Sequence, residues 1–193
     1  TGTNGKTSTS FMVHHIMRSA EKKTGLIGTI KYDLGNRILP AQRTTPEADE
    51  LCEYLGEMIR CNCDSAVMEV SSHAIDLKRV SEILFDIVVF TNLSHDHLDY
   101  HENMEKYFNV KSQLFLQLKK DGIAVINYDC PYGRRLMDKL SVPIIGYGKS
   151  HDAQIRAEKI KTTIKGISFY LNSPWGSGVI RMPLLGKFNV DNA

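Results

Sequence analysis

The chain has 193 residues, of which 42% are hydrophobic, and a formal charge of +2. That is enough apolar material for one proper core, in one domain or one domain with a small appendage, and the near-neutral balance gives no electrostatic footprint for nucleic acid or an acidic membrane. Four cysteines show neither Cys-x-x-Cys spacing nor the density of a secreted scaffold, which argues for reduced thiols although their number is even, and no apolar run reaches the roughly 18 residues of a membrane span.

In chain order, the first element is a loop, Thr1-Gly2-Thr3-Asn4-Gly5-Lys6-Thr7. Two glycines leave the backbone N–H groups bare for phosphate oxygens, Lys6 suits the terminal phosphates, and the Thr7 hydroxyl suits Mg²⁺. Residues 8–20 read as a helix, so the loop stands at a helix N-terminus, whose dipole favours anions. The generic phosphate loop has four residues between its glycines and this one has two, which leaves open a plain turn containing Gly-Lys-Thr. A phosphate loop ordinarily follows a buried strand, and none precedes Thr1. At the other end, residues 188–193 read as a helix just beginning. Both ends suggest a central piece of something longer.

Helices and strands then alternate, which predicts an α/β fold with a mostly parallel sheet flanked by helices. Residues 24–30 read as a strand. Thr45 is placed to cap the next helix with Pro46 at its first position, and Ala48, Leu51, Leu55, Met58 and Ile59 mark its inner face. Residues 65–70 and 86–91 are near-continuous apolar runs, as buried parallel strands are. A helix is expected at about 103–119, with strands near 122–127 and 143–147. From 153 to 186 the pattern becomes a small antiparallel sheet of about three strands, with turns at Lys165-Gly166 and Pro174–Gly178.

Polar residues at strand ends carry the chemistry in such folds. Glu69 ends an apolar strand, where a carboxylate is costly unless paired or bound to metal; the other reading is a solvent-facing edge residue. After the next strand come His95, Asp96, His97, Asp99 and His101. Three histidines and two aspartates in seven residues admit a zinc cluster, a helix cap at Asp99, or plain solvated side chains. Lys111 sits on the following helix and taken alone reads as a solvated charge.

Together these strings resemble the central ATP-binding domain of the Mur ligases, which build the peptide of bacterial peptidoglycan. The carriers are residues 1–7, Thr44-Thr45-Pro46, Met68–Ala74, Thr91–His101, the Lys111 helix and Leu185–Asn192. The strings at 69–73 and 96–101 are most similar to the MurE type, which adds the third amino acid to UDP-N-acetylmuramoyl-L-alanyl-D-glutamate. The resemblance implies that residues 1–193 are the central domain, with the UDP-binding and C-terminal ligase domains outside the chain. It implies ATP-dependent amide formation through an acyl phosphate, in a bacterial cytoplasmic monomer without nucleic acid or membrane insertion.

The resemblance also assigns residues. Gly2, Thr3, Asn4, Gly5, Lys6, Thr7 and Ser8, with Asn189 and Asn192 on the adenine side, match nucleotide-binding positions. Thr7, Glu69, His97 and Lys111 match the metal site, the last as a carbamate made with CO₂. Lys6, Glu69, His97 and Lys111 stand as catalytic residues, and Thr44, Thr45, Ser71 and Arg79 as contacts to the muramoyl-peptide. Arg43 and Leu77 depart from the Asn and Gln of several family members. Folylpolyglutamate and cyanophycin synthetases, which share this central domain, are the alternative, as is a nucleotide-binding piece without catalytic competence alone.

Overall fold

Continuous apolar runs and 3.6-residue stripes decide the elements of the protein, whose computed structural model describes residues 1–96 and 98–193. These divide into two units, Thr1 with Lys6–Ile83 and Gly2–Gly5 with Leu84–Ala193. The fold is mixed α/β, and each unit has its own hydrogen-bonded sheet.

The first unit contains α1 (Lys6–Ser19), β1 (Thr24–Ile27), β2 (Lys31–Asp33), β3 (Ile38–Pro40), α2 (Ala48–Arg60), β4 (Ser65–Met68) and α3 (Ser72–Asp76). Its sheet runs in the order β3-β2-β1-β4. β1 is parallel to β4, from Thr24 opposite Ser65 to Ile27 opposite Met68, while β2 and β3 fold back antiparallel. All four β1 residues are buried, which is why that stretch is uniformly apolar around its Thr and Gly. The strand expected over 24–30 stops at Ile27, because the Gly28 N–H donates to the Lys31 carbonyl (3.3 Å) and turns the chain into β2.

The cap of α2 also differs from expectation. Glu47, not Thr45, is the N-cap, and it forms a reciprocal capping box with Glu50, whose Oε2 accepts from the Glu47 N–H over 3.1 Å. Thr45 is instead turned inward and buried. Of the predicted inner face, Leu51 and Met58 are buried, whereas Ala48 and Ile59 are exposed. Met58 passes so close over β1 that a Cβ on Gly25 would stand 2.4 Å from its sulfur.

The second unit contains β5 (Phe85–Phe90), α4 (Leu98–His101), α5 (Met104–Gln113), a 3₁₀ turn (Leu114–Gln117), β6 (Leu118–Asn127), α6 (Pro131–Met137), β7 (Ile144–Gly148), β8 (Ile155–Thr163), β9 (Gly166–Ser173), β10 (Gly176–Met182) and α7 (Phe188–Asn192). The sheet order is β10-β9-β8-β7-β6-β5. β5 to β8 are parallel, and β8 to β10 form an antiparallel meander. The meander is joined to the parallel part through two residue pairs, Tyr147 with Ile155 and Gly148 with Arg156. The helix expected over 103–119 ends at Gln113, tightens into the 3₁₀ turn, and gives way to strand at Leu118.

Val88, Phe90, Phe108, Leu114, Phe115, Ala124 and Ile126 form the buried apolar centre of this unit. A smaller cluster of Ile167, Phe169 and Val190, flanked by Leu171, Ile180 and Met182, packs the meander against α7. All four cysteines are free thiols. Among the described residues no helix is long and apolar enough to cross a membrane.

Candidate active site

In the first unit the site gathers on Glu69, the residue directly after β4. Its N–H donates to the Ile27 carbonyl (2.8 Å), which continues the β1–β4 ladder and fixes the backbone at the carboxyl ends of both strands. The side chain is 2% exposed. Its carboxylate accepts from the Thr7 hydroxyl (2.8 Å to Oε2) and from the Thr29 N–H (3.0 Å to Oε1). The Thr29 hydroxyl lies 3.1 Å from Oε2 and 3.1 Å from the Thr44 hydroxyl. It has one proton and a carboxylate is the stronger acceptor, so Thr29 donates to Glu69 and accepts from Thr44.

This relay, Thr44 to Thr29 to Glu69, includes a residue the sequence reading passed over. Thr29 falls within the strand expected over 24–30, and its signal in the sequence is Gly28 beside it. A Cβ at Gly28 would stand 2.3 Å from Glu69 Oε1, so glycine there is what lets the carboxylate close on β1.

The four predicted substrate contacts lie near this point, with their polar atoms in different use. The Thr45 hydroxyl, 1% exposed with its residue, donates to the Glu69 carbonyl (2.9 Å) and accepts from the Ser71 N–H (3.1 Å). Ser71 caps α3, accepting from the Ala74 N–H over 3.1 Å. Both hydroxyls therefore serve the backbone. Arg79 donates to the Thr45 carbonyl (3.2 Å) and pairs with Glu47 (2.9 Å), while its Nε is buried without a hydrogen-bond partner among the described residues. Thr44 remains half-buried at the end of the relay.

In the second unit the loop segment Gly2–Gly5 is held from the carboxyl end of β5. The Thr91 hydroxyl donates to the Asn4 carbonyl (2.6 Å), and the Asn92 side chain both accepts from the Asn4 N–H (2.9 Å) and donates to its carbonyl (3.1 Å). Thr3 N–H donates to the Asn92 carbonyl (2.9 Å). Thr91 is itself fixed by Asn127, whose side-chain amide donates to the Thr91 carbonyl (2.8 Å). Gly2 has φ +146° and a Cβ there would stand 2.0 Å from the Thr91 hydroxyl; Gly5 has φ +87° and a Cβ there would stand 2.2 Å from Asn192 Oδ1. Both positions require glycine on conformation and on space.

Asn192 donates to Asn189 Oδ1 (3.1 Å), and Asn189 donates to the Leu185 carbonyl (2.8 Å), so both predicted adenine-side residues lie on α7, with Asn192 beside the loop. Lys111 is 1% exposed, contrary to the solvated lysine its local sequence suggests. Its ammonium donates to the Gly2 carbonyl (3.2 Å) and sits 4.6 Å from the Tyr107 ring centre. Of the histidine cluster, His95 is exposed and His101 is buried, stacked on Tyr107 at 4.7 Å, so the two do not share one environment. His97, expected at the metal, lies outside the described residues.

The donor set fits the groups that the loop implies. Thr7 and Glu69 are hard oxygen donors in contact at the head of α1, the set Mg²⁺ prefers. Glycines with left-handed backbone fit a loop that offers N–H groups to phosphate.

A glycine-bearing loop running into a helix, with a buried carboxylate beside the helix hydroxyl, defines a phosphate-loop α/β domain. The Mur ligase middle domain family matches residues 1–193 in full, and the chain belongs to that family. It is 43% identical, over all of its length and 39% of the relative's, to UDP-N-acetylmuramoyl-L-alanyl-D-glutamate–2,6-diaminopimelate ligase of Geobacter sulfurreducens. Identity to the ligase of the same name from Bacillus licheniformis is 46%, over all of this chain and 41% of that one. A solved structure of a ligase of that name superposes with a TM-score of 0.87 at 31% identity, covering 99% of this chain and 40% of the other. The chain thus spans about two fifths of the length of the curated relatives it matches.

Proposed function

We propose that this chain is the nucleotide-binding part of an ATP-dependent ligase that adds 2,6-diaminopimelate to UDP-N-acetylmuramoyl-L-alanyl-D-glutamate during peptidoglycan synthesis in the bacterial cytoplasm. The observation that carries the reading is the buried Glu69 carboxylate in contact with the Thr7 hydroxyl at the head of the loop helix. The relatives' shared name supports the substrate and the amino acid.

Amide formation from a carboxylate requires two anions, the substrate carboxylate and a terminal phosphate, to approach each other. In the proposed reaction the carboxylate oxygen attacks the γ-phosphorus and ADP leaves. The amine then attacks the acyl carbon, losing a proton, and phosphate leaves. The protein's part is positioning and charge neutralisation. Lys6 supplies a cation and the start of α1 supplies the positive end of a 14-residue helix. Bound Mg²⁺ supplies further neutralisation of the phosphate oxygens. Thr7 and Glu69 are its proposed ligands, together with His97. Thr44 and Arg79, whose buried Nε awaits an acceptor, are the proposed polar contacts to the muramoyl-peptide.

The carbamate on Lys111 belongs to the same proposal. Its support is the enclosure of the amine, 1% exposed, beside the loop. Carbon-13 spectra recorded with labelled bicarbonate test it: a carbamate resonance lost in Lys111→Arg is expected, and its absence from the wild-type protein refutes the modification.

The proposed activity is tested by ADP release with the UDP-muramoyl-dipeptide. Turnover is expected with meso-diaminopimelate, little with L-lysine or with folate and glutamate, and none in Lys6→Ala. Turnover with folate and glutamate in place of the muramoyl substrate would overturn the reading.

A further inference from the structure

We propose that Tyr107 is a positioning residue of the nucleotide loop, holding Thr3 directly and supporting the Lys111 that holds Gly2; this rests on reading residues 1–7 as that loop. Tyr107 and Lys111 are four residues apart on α5, hence on one helix face. They reach successive loop residues. The Thr3 hydroxyl bonds to the Tyr107 phenol oxygen (3.3 Å), and the Lys111 ammonium donates to the Gly2 carbonyl (3.2 Å). The Tyr107 ring also lies beneath that ammonium and against the His101 ring, with centre distances of 4.6 and 4.7 Å. One side chain therefore touches the loop, the buried lysine and the buried histidine.

Packing alone does not account for a tyrosine here. The next residue, Phe108, is fully buried on the same helix without a hydroxyl. Tyr107 is 1% exposed, and a phenol buried that deeply is costly unless its oxygen is bonded, which Thr3 provides. Thr3 in turn accepts from the Ser94 N–H (3.1 Å), so its hydroxyl joins α5 to the segment after β5. A loop held by residues of α5 and of the segment after β5 before its ligand arrives loses less freedom on binding, and affinity rises accordingly.

The test uses Tyr107→Phe, which keeps the ring over Lys111 and removes only the hydroxyl, together with Thr3→Val and the double variant. Two quantities are read: hydrogen exchange of the Thr3 and Asn4 amides without ligand, and the Kd for Mg–ATP. Loss of one such bond predicts exchange about fivefold faster at those amides and a Kd raised about three- to tenfold. Amides of β6 should exchange at the wild-type rate, and the double variant should lose less than the two single losses added together.

Unchanged loop exchange in Tyr107→Phe, faster exchange spread evenly over the unit, or losses that add in full would each overturn the proposal. If the wild-type protein binds no Mg–ATP, the nucleotide reading of the loop fails; the exchange measurement still decides whether Tyr107 holds it.

Discussion

A carbon placed 2.3 Å from a carboxylate oxygen cannot stay there, and that is where a Cβ on Gly28 would meet Glu69. The carboxylate is hemmed in: Thr7 and Thr29 bond to it, and Thr45 holds the Glu69 carbonyl from behind. It has little room to retreat. Gly28→Ala is therefore expected to lower stability by about 1–3 kcal/mol, the usual result of overpacking a close site. It should also weaken Mg²⁺-dependent nucleotide binding at least about tenfold, since a 1.4 kcal/mol misplacement cost already has that effect. Chemical denaturation and calorimetry check the two effects. Normal binding in a folded Gly28→Ala variant would mean that Glu69 is not held where the metal needs it.

At the scale of elements, α1 carries a titratable group far from its loop end. His14 is 6% exposed, and its Nε2 is 3.0 Å from the Thr24 carbonyl, which only a protonated nitrogen can meet. Burial holds its pKa below the usual value, outweighing the Thr24 bond and the nearby Asp33, while Arg18 and Lys31 push the same way as burial. The unfolded chain then binds the proton more readily than the folded one. The stability contributed is full above about pH 6.5 and is lost as pH falls through the depressed folded value. Melting temperature should fall between about pH 7 and 5, and His14→Gln should flatten that limb; equal slopes in both proteins would refute the assignment.

A second element-level expectation concerns α5, which carries Tyr107 and Lys111. Asn103 caps it by accepting from the Lys106 N–H over 2.9 Å, so Asn103→Ala should cost about 1 kcal/mol in denaturant unfolding. The strands were legible because β1, β4, β5 and the second half of β6 are apolar runs, but their burial was legible only in part: β1 is buried throughout, whereas β4 has no fully buried residue and Ile87 of β5 is exposed. β2 and β3 were not legible: three residues each, one reading Lys-Tyr-Asp and the other ending in proline, carry too short a pattern. Strand pairing was equally hidden, since nothing local says that β8 leaves the parallel sheet after two pairs. Lys111 is the sharpest case within the site. Its neighbours in sequence give no reason to bury it; the Gly2 carbonyl and the Tyr107 ring do, and both are brought by the fold. Thr29 was masked because the strand pattern over 24–30 runs through it, although the strand itself ends at Ile27.

For the whole molecule, the consequence of the proposed phosphate loop being preformed is linkage between ligand and stability. The backbone of Gly2–Gly5 is already fixed by Thr91 and Asn92, so binding there has little chain left to order. A ligand that binds the folded chain and not the unfolded one raises the unfolding free energy by RT ln(1 + [L]/Kd). With Mg–ATP at one hundred times its Kd that is about 2.7 kcal/mol, or a melting shift of roughly 5–10 °C for a chain of this size. Lys6→Ala should show no shift at the same concentration, because it removes the cation proposed to face the phosphates. ATP without Mg²⁺ should give a smaller shift than Mg–ATP if Thr7 and Glu69 act as metal ligands. Equal shifts with and without Mg²⁺ would separate the two halves of the reading, leaving the loop as a phosphate site and removing Glu69 from it.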